Sequence, residues 1–174
     1  TAVGTGTLTT AAPVIDDTTP AVGGTLHVTT PGWTSGSSFT YQWLRDGVTI
    51  VGATAASYVV AGEDAGTSIS VAATGTKAGY STASATSLET ELVPASTFAG
   101  GSTPSISGDP SVGSTLSVDY GTLSPAPTTV TYEWRSDGVV VGTGSTYTPV
   151  ASDLDASIIV MVSAAKVGYM TWES

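Results

Sequence analysis

The chain has 174 residues, only 10% of them charged, and Lys+Arg 4 against Asp+Glu 14 give a net charge of −10. With no Cys, no Asn and one His, it excludes a disulfide framework, thiolate chemistry, a Cys-ligated metal and Asn-linked glycosylation. Four cations also argue against a nucleic-acid partner, because phosphate recognition needs clustered Lys and Arg. No apolar run is long enough to span a membrane, and no signal-peptide pattern follows Thr1. Thr and Ser make up roughly three in ten residues, while strong helix formers are scarce. The composition predicts an all-β protein with no membrane insertion and no cofactor.

In chain order, short strand-like runs alternate with Gly, Pro and Asp at the spacing of a sandwich or barrel. Leu26 and Val28 alternate in an early strand. Phe39, Tyr41 and Trp43 share one face of the next, with Thr40 and Gln42 on the other. Asp46-Gly47 follows, a hairpin signal because a tight primed turn needs positive φ. Ile69, Val71 and Ala73 alternate in a later strand, and Lys77-Ala78-Gly79-Tyr80 comes after it.

The same series is then written a second time. Val22-Gly23-Gly24-Thr25-Leu26 matches Val112-Gly113-Ser114-Thr115-Leu116, and Tyr41-Gln42-Trp43 matches Tyr132-Glu133-Trp134. Asp46-Gly47 matches Asp137-Gly138, Tyr58 matches Tyr147, and Asp64 matches Asp153. Ile69 and Val71 match Ile158 and Val160, and Gly79-Tyr80 matches Gly168-Tyr169. A period of this length fits an independently folding β domain rather than a solenoid coil. Two tandem domains are expected, over residues 1–92 and 93–174, joined by a Pro/Ala/Ser/Thr/Gly segment around Pro94 to Pro104. The second copy reaches only from Met170 to Ser174 after its matching tyrosine, so its last strand is expected to be short, missing or supplied from elsewhere. Such an edge is a place for a neighbouring domain or subunit to dock.

The ordered set Val-Gly-x-Thr-Leu, Tyr-x-Trp-x2-Asp-Gly, Tyr-x5-Asp and Gly-Tyr resembles the tandem bacterial immunoglobulin-like repeats of actinobacterial secreted and cell-surface proteins. Related repeats occur in phage virion proteins. The resemblance covers nearly the whole chain. It implies two tandem immunoglobulin-like β-sandwich domains without disulfides, with apolar residues where the two cysteines would stand.

Few residues point to chemistry. Trp43 and Trp134 are in phase with apolar neighbours and read as core. Trp33, Tyr120 and Trp172 are the candidate ligand-binding residues: Trp33 aligns with Leu123, and Trp172 aligns with Ala83. Asp64 and Asp153 read as acceptors of backbone bonds in the turn before a later strand. Neither they nor Asp16-Asp17 have calcium-loop spacing, so no metal site is expected. His27 lies mid-strand opposite Ser117, an unsuitable place for a catalytic base, and no Gly-x-Ser-x-Gly elbow is present. Lys77 and Lys166 read as turn lysines. No catalytic residue is expected.

These readings favour a non-enzymatic spacer or adhesion stalk in a larger extracellular or cell-surface protein, with neighbouring domains or subunits as partners. The alternatives are a module that binds a carbohydrate or host surface, through Trp33, Tyr120 and Trp172, and a decoration domain on a phage virion surface.

Overall fold

A computed structural model describes residues 3–174, so the first two residues of the expected first domain lie outside the description. Packing divides the chain into one unit that runs to Ser96 and a second, Thr97–Ser174. Val93, placed by the repeat arithmetic at the head of the second domain, belongs to the first. Its side chain lies in the core of unit 1, and its backbone exchanges hydrogen bonds with Thr67 and Gly66.

Unit 1 contains β1 (Gly6–Thr7), β2 (Val14–Ile15), β3 (Thr25–Thr29), β4 (Ser38–Arg45), β5 (Val48–Thr49), β6 (Ser57–Val59), β7 (Ile69–Thr76), β8 (Tyr80–Ser81) and β9 (Ala83–Thr86). One turn of 3-10 helix, Gly62–Asp64, precedes β7. One sheet has the order β2-β3-β6 and the other β5-β4-β7-β9, while β1 pairs separately with β8. The β3 strand alternates as its sequence predicts, with Leu26 and Val28 buried. The β4 and β7 strands pair along their full length, setting Trp43 opposite Val71. Leu26 and Ile15 from one sheet meet Trp43, Ile69 and Val71 from the other in one core cluster.

Unit 2 contains β10 (Ala99–Gly100), β11 (Ser105–Ser107), β12 (Leu116–Asp119), β13 (Leu123–Ser124), β14 (Thr129–Ser136), β15 (Val139–Gly142), β16 (Thr146–Tyr147), β17 (Ile158–Ala165) and β18 (Trp172–Glu173). Its sheets repeat the plan as β11-β12-β16 and β15-β14-β17-β18. The initial strand differs, because β10 pairs antiparallel with β13. Phe98 packs against Tyr169 within this unit, with ring centroids 5.3 Å apart. Trp134 and Val162 are buried as the repeat predicts. Ile158 and Val160 are only half-buried, whereas Ile69 and Val71 are fully buried.

Both central tryptophans are 0% exposed, and each uses its polar handle. Trp43 Nε1–H donates to the Ala55 carbonyl and Trp134 Nε1–H to the Gly144 carbonyl, both at 2.9 Å. This satisfies the indole donor that burial would otherwise leave unpaired.

Both Asp-Gly pairs adopt positive φ at both residues, 44° and 75° at Asp46-Gly47 and 46° and 84° at Asp137-Gly138. The aspartates have a second role beyond the turn. Asp46 Oδ1 accepts the Ser68 N–H, and Asp137 Oδ1 accepts the Ser157 N–H, each at 2.8 Å. Each carboxylate thereby fastens its hairpin to the segment entering β7 or β17. Asp46→Ala is expected to lower stability by about 1 kcal/mol through the lost acceptor, with a further cost from positive φ. Asp46→Asn, which tolerates that φ and keeps an oxygen, should be milder in urea unfolding of the full chain.

Candidate functional site

The most elaborate polar arrangement in each unit surrounds the aspartate of the 3-10 turn. In unit 1, Asp64 is 0% exposed. Its Oδ1 accepts Arg45 Nε–H at 2.6 Å and also pairs with Arg45 Nη2. Its Oδ2 accepts the Tyr58 hydroxyl and the Ala61 N–H, both at 2.7 Å. The Tyr58 ring also stacks on Trp43, with centroids 5.6 Å apart. Burial, and then the bond to Asp64, push the Tyr58 hydroxyl up to about 12. Burial works against the Arg45 charge, but its bonds to Asp64 prevail and raise its pKa. Both carboxylate oxygens are occupied, so no lone pair is left facing solvent for a cation or a substrate.

Unit 2 keeps the pattern without the arginine. Tyr147 O–H donates to Asp153 Oδ2 at 2.6 Å, the Val150 N–H donates to the same oxygen at 2.8 Å, and Tyr147 stacks on Trp134 at 5.7 Å. The hydrogen bond to Asp153, then burial, push Tyr147 up to about 12. Bonds from Tyr147, Val150 and Ser136 hold Asp153 below its ordinary value. Ser136 occupies the position matching Arg45, while the arginine of unit 2 stands one residue earlier as Arg135. A one-residue move along a strand turns a side chain to the opposite face. Arg135 accordingly pairs with Glu133 on its own strand, Nε to Oε1 at 2.6 Å. The sequence identified the two aspartates as turn acceptors; their tyrosine and arginine partners it left unrecognised, although Tyr-x5-Asp repeats in both copies.

The three candidate aromatics fall into separate settings. Trp33 belongs to unit 1, half-buried, with Nε1–H donating to the Ala11 carbonyl at 2.8 Å and its ring edge-on to Phe39 at 5.2 Å. It lies over Gly75, where a Cβ would come within 2.5 Å of Cζ3. Tyr120 and Trp172 meet in unit 2, with ring centroids 6.0 Å apart, and Tyr132 lies 6.3 Å from Tyr120. Trp172 covers Gly101 as Trp33 covers Gly75; a Cβ on Gly101 would lie 2.9 Å from both Trp172 Cζ2 and Leu123 Cδ2. Unit 2 has Leu123 in place of Trp33 and Ala164 in place of Gly75. The bulky indole and the missing methyl therefore go together.

The remaining polar residues are engaged locally. His27 is exposed and its Nδ1 contacts Asp16 Oδ2 at 2.9 Å. The His27 backbone N–H is the main reason that the Asp16 carboxyl is lowered. Lys77 donates to the Ser35 carbonyl at 2.7 Å and Lys166 to the Ala126 carbonyl at 3.2 Å. Among the described residues, no three His, Cys, Asp or Glu side chains converge as a metal site would require. No helix there is long and apolar enough to cross a membrane.

In each unit a three-stranded sheet faces a four-stranded one, with a buried Trp on the second strand of the latter and no cysteine. This strand order defines two immunoglobulin-like β-sandwiches without disulfides. No protein-family profile matches the chain, and no curated protein matches it. Among solved structures, the amphioxus IgVJ-C2 molecule is similar at 13% identity and a TM-score of 0.35, over 99% of this chain and 96% of that one. The fold class here rests on the strand order and not on that likeness.

Two outcomes follow. Gly75→Ala should destabilise unit 1 by about 1–3 kcal/mol through overpacking against Trp33, and adding Trp33→Leu should recover part of that loss in a double-mutant cycle. Asp153 has a lowered pKa when folded, so its contribution is present above the unfolded value near 3.8 and is lost as pH falls through the folded one. Tyr147 is raised from 10.0, so its contribution is complete below 10.0 and fades as pH rises toward about 12. Asp153→Asn should flatten the acid limb in urea unfolding followed through unit 2 amide signals.

Proposed function

We propose that the chain is a non-enzymatic pair of immunoglobulin-like modules serving as a spacer or adhesion stalk within a larger extracellular or cell-surface protein. The observation that carries this reading is the use made of the buried titratable groups. Asp64, Tyr58 and Arg45 in unit 1, and Asp153 and Tyr147 in unit 2, bond to one another and to backbone. Groups so engaged spend their donors and acceptors on the packing of their own module and stiffen it. The chain has no cysteine, so its cores form without disulfides, which suits a module exposed to variable redox surroundings. Single-molecule stretching of the full chain is expected to give two separate unfolding events, one per unit, each releasing about 3.6 Å of contour per residue. One merged event, or unfolding at forces near zero, would count against a load-bearing role.

A second reading, glycan binding, is favoured by the grouping of Tyr120, Tyr132 and Trp172 in unit 2, since sugars stack on aromatic faces. A glycan screen decides between them. Binding that Trp172→Phe preserves and Trp172→Ala abolishes, with unit 2 still folded by amide spectra, selects glycan recognition; no binding leaves the spacer reading.

A further inference from the structure

The β15 strand, Val139–Gly142, borders the four-stranded sheet of unit 2. The order β15-β14-β17-β18 puts it on the far side from β18, so its exposure does not depend on where the chain ends. Among the described residues it pairs with β14 and no other strand. Val139, Val140 and Val141 are 67%, 50% and 36% exposed. Edge strands are ordinarily guarded by Lys, by Pro or by being very short. This one reads Val-Val-Val-Gly, and no residue from Gly138 to Ser152 is charged. The matching strand of unit 1, β5, spans only Val48–Thr49.

The hairpin fixes which backbone groups face outward. Ser136 and Val139 flank the two-residue Asp137-Gly138 turn and form a hydrogen-bonded pair. Arg135 and Val140 are the next pair, and pairs alternate, so the N–H and C=O of Val140 point away from β14. A register shift leaves Val141 without a partner on β14, one residue beyond that position. The segment Gly138-Val139-Val140-Val141-Gly142 reads the same in both directions. Antiparallel pairing of the segment with itself, about a two-fold axis at Val140, sets Val140 opposite Val140, Val139 opposite Val141 and Gly138 opposite Gly142. Valine meets valine, and the glycines bring no side chain to hold the copies apart. The run at the matching place in unit 1, Gly47-Val48-Thr49-Ile50-Val51-Gly52, has no such symmetry. Charge favours the same border. Copies of a chain with net charge −10 repel one another. The nearest charges are turned elsewhere: Asp137 Oδ1 accepts the Ser157 N–H, and Arg135 pairs with Glu133 on its own strand.

We propose that β15 is a self-association site, where two copies of the chain pair antiparallel through Val140 and join their four-stranded sheets into one. The Val140 N–H of each copy donates to the Val140 carbonyl of the other, and the flanking valines cover one another. One short strand from each copy buries less than about 1,200 Å², the range of weak, reversible association. The site follows from unit 2 alone and is independent of the spacer reading.

The test is a concentration series of the full chain, followed by sedimentation equilibrium and amide spectra. The mass should rise from one copy toward two and stop there, with a dissociation constant on the order of 1 mM or tighter. Concentration-dependent shifts should centre on Val139 to Gly142, and hydrogen exchange at Val140 should slow as the chain is concentrated. Val140→Lys puts a charge at the centre of the pairing and should weaken association about tenfold. Thr49→Lys makes the same charge change at the matching position of unit 1 and should leave association unaltered. The shifts of the unaltered chain decide the matter if Val140→Lys does not fold. A strict monomer above about 1 mM, shifts that spare β15, equal weakening by Thr49→Lys, or growth past two copies would overturn the proposal.

Discussion

Each unit is organised around a carboxylate that has lost its water. A buried charge is tolerated only when its lone pairs are taken up by donors. Asp64 meets that condition with a guanidinium, a phenol and a backbone amide, and Asp153 with a phenol and a backbone amide. The requirement fixes much else. The phenol must come from the strand before the 3-10 turn, and its ring then stacks on the central Trp. The turn is tied to the segment entering β7, where Thr67 Oγ1 donates to the Asp64 carbonyl at 2.7 Å. One ion thus links the short sheet, the turn, the tall sheet and the indole core, with cooperative strengthening in a low-dielectric interior.

The two units meet the same constraint with different parts. Unit 1 uses the arginine, and unit 2 replaces it with Ser136 and sends Arg135 to the other face. At one end of the sandwich, unit 1 lays Trp33 from a loop over Gly75, whereas unit 2 lays Trp172 from β18 over Gly101 and has Leu123 and Ala164 at the positions matching Trp33 and Gly75. Close packing explains the pairing, since space given to an indole must be taken from a neighbour. The candidate aromatics are therefore packing members of their units.

The repeat made most of the fold legible. Period-two alternation placed the buried faces of β3, β4 and β7, Asp-Gly placed both hairpin turns, and the in-phase indoles placed both core centres. It was less informative wherever copies diverge by a single residue. Nothing in Arg45 and Arg135 as letters shows that one meets a buried aspartate and the other a surface glutamate. Matching letters also gave Ile158 and Val160 the same burial as Ile69 and Val71, although they are only half-buried, while in unit 1 Ser87 and Thr90 pair along Val71 and Ile69.

The sequence by itself determined the all-β class, the doubling of the chain, the strand faces and the turns, because these follow from local periodicity and from the φ demands of individual residues. Tertiary structure alone decided which donors surround Asp64 and Asp153, and that Asp46 and Asp137 clasp the distant Ser68 and Ser157. Those outcomes depend on which side chains, far apart in the chain, arrive within hydrogen-bonding distance once the two sheets pack face to face.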